Sequence, residues 1–167
     1  MNQQAGIIQR IVSGGQTGAD RAGLDWAILE HIAHGGWCPL GRIAEDGLIS
    51  SRYELEELPT GGYRARTRQN VFESDGTLIV NGGELGGGTL QTLCFAEQLG
   101  KPYLVIQALG AKRYVQAEQV YQWLHQQGIR TLNIAGPRES KRPGIYRATL
   151  NLLCGVLGSP ITSCDTS

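Results

Sequence analysis

Two short β-branched runs in this chain, residues 7–12 and 77–81, each end on a cluster of glycines: Gly14, Gly15 and Gly18 after the first, Gly82, Gly83, Gly86, Gly87 and Gly88 after the second. A buried strand that stops at glycines, with a helix-forming segment behind them, is the strand, loop and helix unit of an α/β sheet. The glycines let another backbone or a ligand approach the loop closely, because no Cβ intervenes. Glycine supplies 24 of the 167 residues, about twice its usual share.

The same alternation continues along the chain. From Leu24 the apolar positions Leu24, Ala27, Ile28, His31 and Ile32 follow helical spacing up to Gly35 and Gly36. Residues 35–62 lack sustained periodicity, and the scattered Trp37, Ile43, Leu48, Ile49 and Tyr53 predict a long but ordered loop. A short helix is expected over 64–72. Thr89 then opens a helix as its expected N-cap, strand 103–106 follows, and a helix over 114–126 leads to strand 129–134. The last helix carries Ile145, Ala148, Thr149, Leu152 and Val156, and a polar tail starts at Ser159. The expected class is α/β: a Rossmann-like, three-layer domain over residues 1–158 with a mainly parallel sheet flanked by helices, followed by the tail 159–167.

Charge narrows the function. Lys plus Arg and Asp plus Glu are 15 each, so no global field draws the chain to nucleic acid or to an anionic membrane, and neither is an expected partner. The first residues show no basic start followed by an apolar stretch, and no apolar run nears the length of a membrane span. Cys38, Cys94, Cys154 and Cys164 form no C-x-x-C pair. A cytoplasmic protein without a metal site is the resulting expectation.

In an open parallel sheet, ligands collect beyond the carboxyl ends of the strands, where helix N-termini attract anions. Three glycine-rich segments fall there. Gly14, Gly15, Gln16, Thr17, Gly18 and Asp20 form the first, which has neither the Lys of a P-loop nor the first glycine of a G-x-G-x-x-G fingerprint, since Ser13 stands at that place. Gly87, Gly88 and Thr89 belong to the second, and Gly136, Arg138 and Glu139 to the third, where the arginine suits phosphate or carboxylate. Each segment also has a plainer reading, as a tight turn or a solvated loop charge.

The segments SGGQTGADRAGLDWAI, HGGWCPLGRIAEDG, TRQNVFESDGTLIV, GGGTLQT and NIAGPRESKRPGIY occur in that order between residues 11 and 157. Together they resemble the molybdenum-cofactor carrier family, a Rossmann-like branch related to the lysine-decarboxylase-like and Lonely-Guy-type proteins. The resemblance implies a carrier that holds molybdenum cofactor (molybdopterin) or a related nucleotide, a small phosphorylated ligand, over the glycine loops, as a dimer or tetramer of identical chains. It assigns ligand contacts to Gly14, Gly15, Gln16, Thr17, Gly18 and Asp20, to Gly87, Gly88 and Thr89, and to Gly136, Arg138 and Glu139.

Within the second of these segments, Trp37 could stack on a flat ring, Arg42 could bind phosphate, and Glu45 and Asp46 could accept hydrogen bonds. Alternatively Trp37 fills the core and the acids pair with Arg42. The alternative function is a nucleotide hydrolase of the phosphoribohydrolase type, cutting an N-glycosidic bond with Glu45 or Asp46 as candidate catalytic carboxylates. Lonely-Guy enzymes place a glutamate three residues after their Gly-Thr pair. Thr92 stands there instead, and a hydroxyl cannot do a carboxylate's acid-base work near neutral pH.

Overall fold

In the computed structural model, which describes residues 7–110 and 113–157, strand β1 (Arg10–Val12) leads into helix α1 (Ala19–Leu29) and then β2 (Ala33–Gly35). Four short strands follow: β3 (Trp37–Pro39), β4 (Ile43–Ala44), β5 (Gly47–Leu48) and β6 (Glu56–Leu58). The rest of the chain alternates: α2 (Gly62–Glu73), β7 (Gly76–Asn81), α3 (Gly87–Gln98), β8 (Tyr103–Gln107), α4 (Arg113–Gln127), β9 (Thr131–Ala135) and α5 (Ile145–Val156).

Five strands form one wholly parallel sheet in the order β2-β1-β9-β7-β8. Helix α5 packs against both α1 and α4, and α2 packs on α3, so helical layers cover both faces. This is the expected Rossmann-like, three-layer α/β fold. The inner strand β7 is buried at every residue, as a strand covered on both faces must be. Ile11, Leu78, Val80, Leu132 and Ile134 of the sheet meet Trp26, Leu124, Ile145 and Leu152 of the helices in the main core. Among the described residues no helix is long and apolar enough to cross a membrane.

Strand order carries the main topological fact. Numbered from β9 and continued through β1, β2, β7 and β8, the sheet reads 3-2-1-4-5, the order of a Rossmann half-sheet with its extension. The strand that would come first there comes last in this chain. The order therefore reverses between β9 and β7.

Several boundaries differ from the sequence expectation. Helix α1 starts at Ala19, five residues before Leu24, because its first turns bury small or polar residues and carry no apolar stripe. Gly23 is one of them: a Cβ there would lie 2.8 Å from Ile134 Cβ, so the glycine lets helix and strand touch. The helix ends at Leu29, and the segment expected to finish it is the edge strand β2. Only Arg10–Val12 of the first apolar run pairs into the sheet. Helix α3 begins on Gly86 as N-cap, with Thr89 buried inside its first turn. The ordered segment over 35–62 holds β3 paired with β6 and β4 paired with β5. Cys38, Ala44, Ile49, Tyr53 and Leu55 there close with Leu24 into a second core. The expected tail from Ser159 lies outside the described residues.

Candidate functional site

A cleft of about 410 Å³ opens at the carboxyl ends of β7 and β9, where the strand order reverses. Ligands of open α/β sheets bind at such switch points. Its floor includes Asn81 at the end of β7 and Asn133 near the end of β9, both buried. Gly136 follows, and a Cβ there would come within 2.2 Å of the Val80 carbonyl oxygen, so only glycine lets these two strand ends lie so close.

One wall is the N-terminus of α3. Gly86 caps it without any side-chain hydrogen bond, and its first turn holds no acidic residue. The leading N–H groups of a helix have no partner within it and carry the positive end of its dipole. The Lys141 ammonium lies 3.9 Å from the point where a side chain at Gly87 would begin. A cation beside an uncapped helix N-terminus adds to the attraction the helix end has for an anion. Arg138 and Arg142 line the same cleft. Arg142 is anchored by donating from Nε to the Gly82 carbonyl and from Nη1 to that of Lys141.

The opposite wall is built from Asp20, Gly14 and Arg66 of α2. Asp20 Oδ2 accepts from Arg66 Nη1 at 3.4 Å and from the Gln16 N–H at 3.4 Å. Burial pushes the Asp20 carboxyl up to about 6, against the opposing pull of Arg66. The Arg66 Nε–H is buried and has no hydrogen-bond partner among the described residues. Gly14 makes the pairing possible, since a Cβ there would fall 1.4 Å from Arg66 Nη1. The lining thus contains the cations Arg66, Arg138, Lys141 and Arg142 and the carboxyl groups Asp20 and Glu84. In a chain of zero formal charge, this is a local excess of positive charge.

Of the residues singled out in the sequence, Gly14, Gln16, Asp20, Gly87, Gly88, Thr89, Gly136 and Arg138 come together in this lining. The others lie outside it, in structural contacts. Gly15, at φ 79°, points toward the second core, where a Cβ would lie 2.6 Å from Leu55 Cδ1. Gly18 packs on the 137–139 backbone, and Thr17 accepts from the Glu139 N–H while donating to Glu45. Glu45 also accepts from the Ser140 hydroxyl and N–H, and these bonds, the hydroxyl's first, lower its carboxyl below the ordinary range. Asp46 forms a two-pronged pair with Arg21, which lowers its carboxyl as well. Arg42 donates to the carbonyls of Ile49, Ser50, Tyr53 and Leu55. Trp37 donates its indole N–H to Glu73, and Glu139 caps α5 by accepting from the N–H groups of Gly144 and Tyr146.

Arg66, Lys141 and Arg142 were missed by sequence reasoning. Lys141 and Arg142 sit inside the NIAGPRESKRPGIY segment, so their neighbourhood to Arg138 was a usable signal. Arg66 lies on a helix with almost no apolar stripe, and nothing local tells its guanidinium from those of Arg64 and Arg68. Thr92, at the place of the Lonely-Guy glutamate, lines the cleft and donates to the Gly88 carbonyl.

Residues 11–157 match the circularly permutated YpsA SLOG family. This chain belongs to that family. The crystal structure of a protein from Syntrophus aciditrophicus SB, provisionally named a molybdenum carrier protein, is 50% identical and superposes with a TM-score of 0.88, over 90% of this chain and 96% of that one. No curated protein matches the sequence. For this member of the family, the cleft at the switch point between β9 and β7 is the candidate site.

Proposed function

We propose that this protein is a carrier that binds a small phosphorylated ligand of the molybdopterin type in the cleft between β7 and β9, without transforming it. The observation that carries this reading is the Lys141 ammonium beside the uncapped N-terminus of α3: two positive groups that together favour an anion. A phosphate there would receive N–H groups from the helix and charge from Lys141 and Arg138. The provisional name of the Syntrophus relative supports a molybdenum cofactor as the cargo. Among the described residues no group of three or more His, Cys, Asp or Glu side chains could hold a metal ion. The proposed contacts therefore fall on the organic and phosphate parts of the ligand.

A hydrolase would need a carboxyl group at the ligand. Glu45 and Asp46 are consumed by Thr17, Ser140 and Arg21, which leaves Asp20 and Glu84 as the carboxyl groups in the lining. Chromatography of a nucleotide panel incubated with the protein tests this directly. The carrier reading expects saturable binding with no free base released. Base release that disappears in Asp20→Asn would replace it with the hydrolase reading.

A further inference from the structure

We propose that Asp20 and Arg66 form a reading head for a 2-amino-4-oxopyrimidine ring, the ring edge shared by pterins and guanine, in the lining of the cleft. The inference rests on the reading of the cleft as a phosphorylated-ligand site and names the other end of that ligand. Both protein donors to the Asp20 carboxylate, Gln16 N–H and Arg66 Nη1, fall on Oδ2 at 3.4 Å. These are long contacts that leave lone pairs free, and Oδ1 accepts nothing among the described residues. Beside it Arg66, its side chain 12% exposed, also lines the cleft. A buried carboxylate left under-bonded is costly, so a guest that donates to it is favoured.

The Asp20 carboxylate and the Arg66 guanidinium, both in the lining, offer two acceptors and a donor. A 2-amino-4-oxopyrimidine presents the complement, an amino N–H, a ring N–H and a carbonyl oxygen. Adenine offers one N–H beside a bare ring nitrogen, and hypoxanthine lacks the amino group, so each leaves one carboxylate oxygen desolvated and unpaired. Gly14 is part of the device, because a side chain there would displace Arg66 from Asp20. The charged groups that act on the Asp20 carboxylate are Arg66 on α2 and Arg21 on α1.

Calorimetric titration at pH 7.5 with pyrophosphate, AMP, IMP, GMP and a pterin monophosphate tests the assignment. The expected result is that GMP and the pterin monophosphate bind at least about tenfold more tightly than AMP and IMP, the worth of one hydrogen bond to a charged group. The tighter of the two identifies the source of the ring. Asp20→Asn should erase the preference. Equal affinity of the four ring-bearing ligands, with pyrophosphate still bound, would overturn the ring assignment and leave the phosphate site standing. Failure of every ligand, pyrophosphate included, would overturn both. Should Asp20→Asn not fold, the preference of the native protein decides alone.

Discussion

At Gly14 the missing side chain lets Arg66 lie over the backbone and reach Asp20. Gly14→Ala should therefore leave the fold intact and lose the ring preference, since a methyl group 1.4 Å from Arg66 Nη1 drives the guanidinium away. Its neighbour behaves differently. Gly15→Ala meets both a φ of 79° and Leu55 at 2.6 Å, so it should lower stability by about 1 kcal/mol or more in chemical denaturation. Arg42→Ala removes donors to four carbonyls of the 49–55 segment, and should cost about 2 kcal/mol or more with pyrophosphate affinity unchanged. A fall in affinity with no loss of stability would restore Arg42 as a phosphate ligand. Asp20 adds a pH signature. Its folded pKa is raised from 3.8 to about 6, so its protonation favours the folded state, and that contribution is lost as pH rises through 6. The Tm of the native protein relative to Asp20→Asn should accordingly be highest at pH 4 and below and fall between about pH 4 and 6. A gap that does not move with pH would contradict the burial of this carboxyl group.

Among the elements, α3 links sequence to function most directly. Three glycines at its start leave the helix end bare, and Gly86 has open space around the place of its Cβ. An aspartate there would cap the helix and supply the negative charge that the cleft lacks. Gly86→Asp should gain about 0.5 kcal/mol or more of stability and lose anion binding, which thermal unfolding and calorimetry together would show. The glycine clusters were legible in the sequence because their density exceeds what turns require. The start of α1 was not, because Asp20 and Gly23 occupy inward positions where helical periodicity expects apolar residues. The 35–62 segment was legible as ordered but not as a second core, since Cys38, Ala44 and Tyr53 meet Leu24 only through long-range closure. Arg66 was unreadable for the same reason: its partner Asp20 lies 46 residues away.

For the whole molecule, the alternation of strands and helices fixed the fold class and the end of the sheet where ligands bind. It could not fix the order of the strands, because β9 enters the middle of the sheet last. That order sets where the cleft forms and why the third glycine segment, near the C-terminus, joins the second. The 35–62 segment is tied to the main body by Asp25 of α1, which accepts from the phenols of Tyr53 and of Tyr146 on α5. Burial and these bonds push the Tyr53 hydroxyl up to about 12, so the tie persists through mildly alkaline conditions. Whether the cleft between β7 and β9 is an anion site is decided by titrating pyrophosphate into the native protein and into Lys141→Ala under low salt. One saturable site is expected in the native protein, weakened about tenfold or more without the lysine; equal affinity in the two proteins, or no binding to either, would show that the cleft is not such a site.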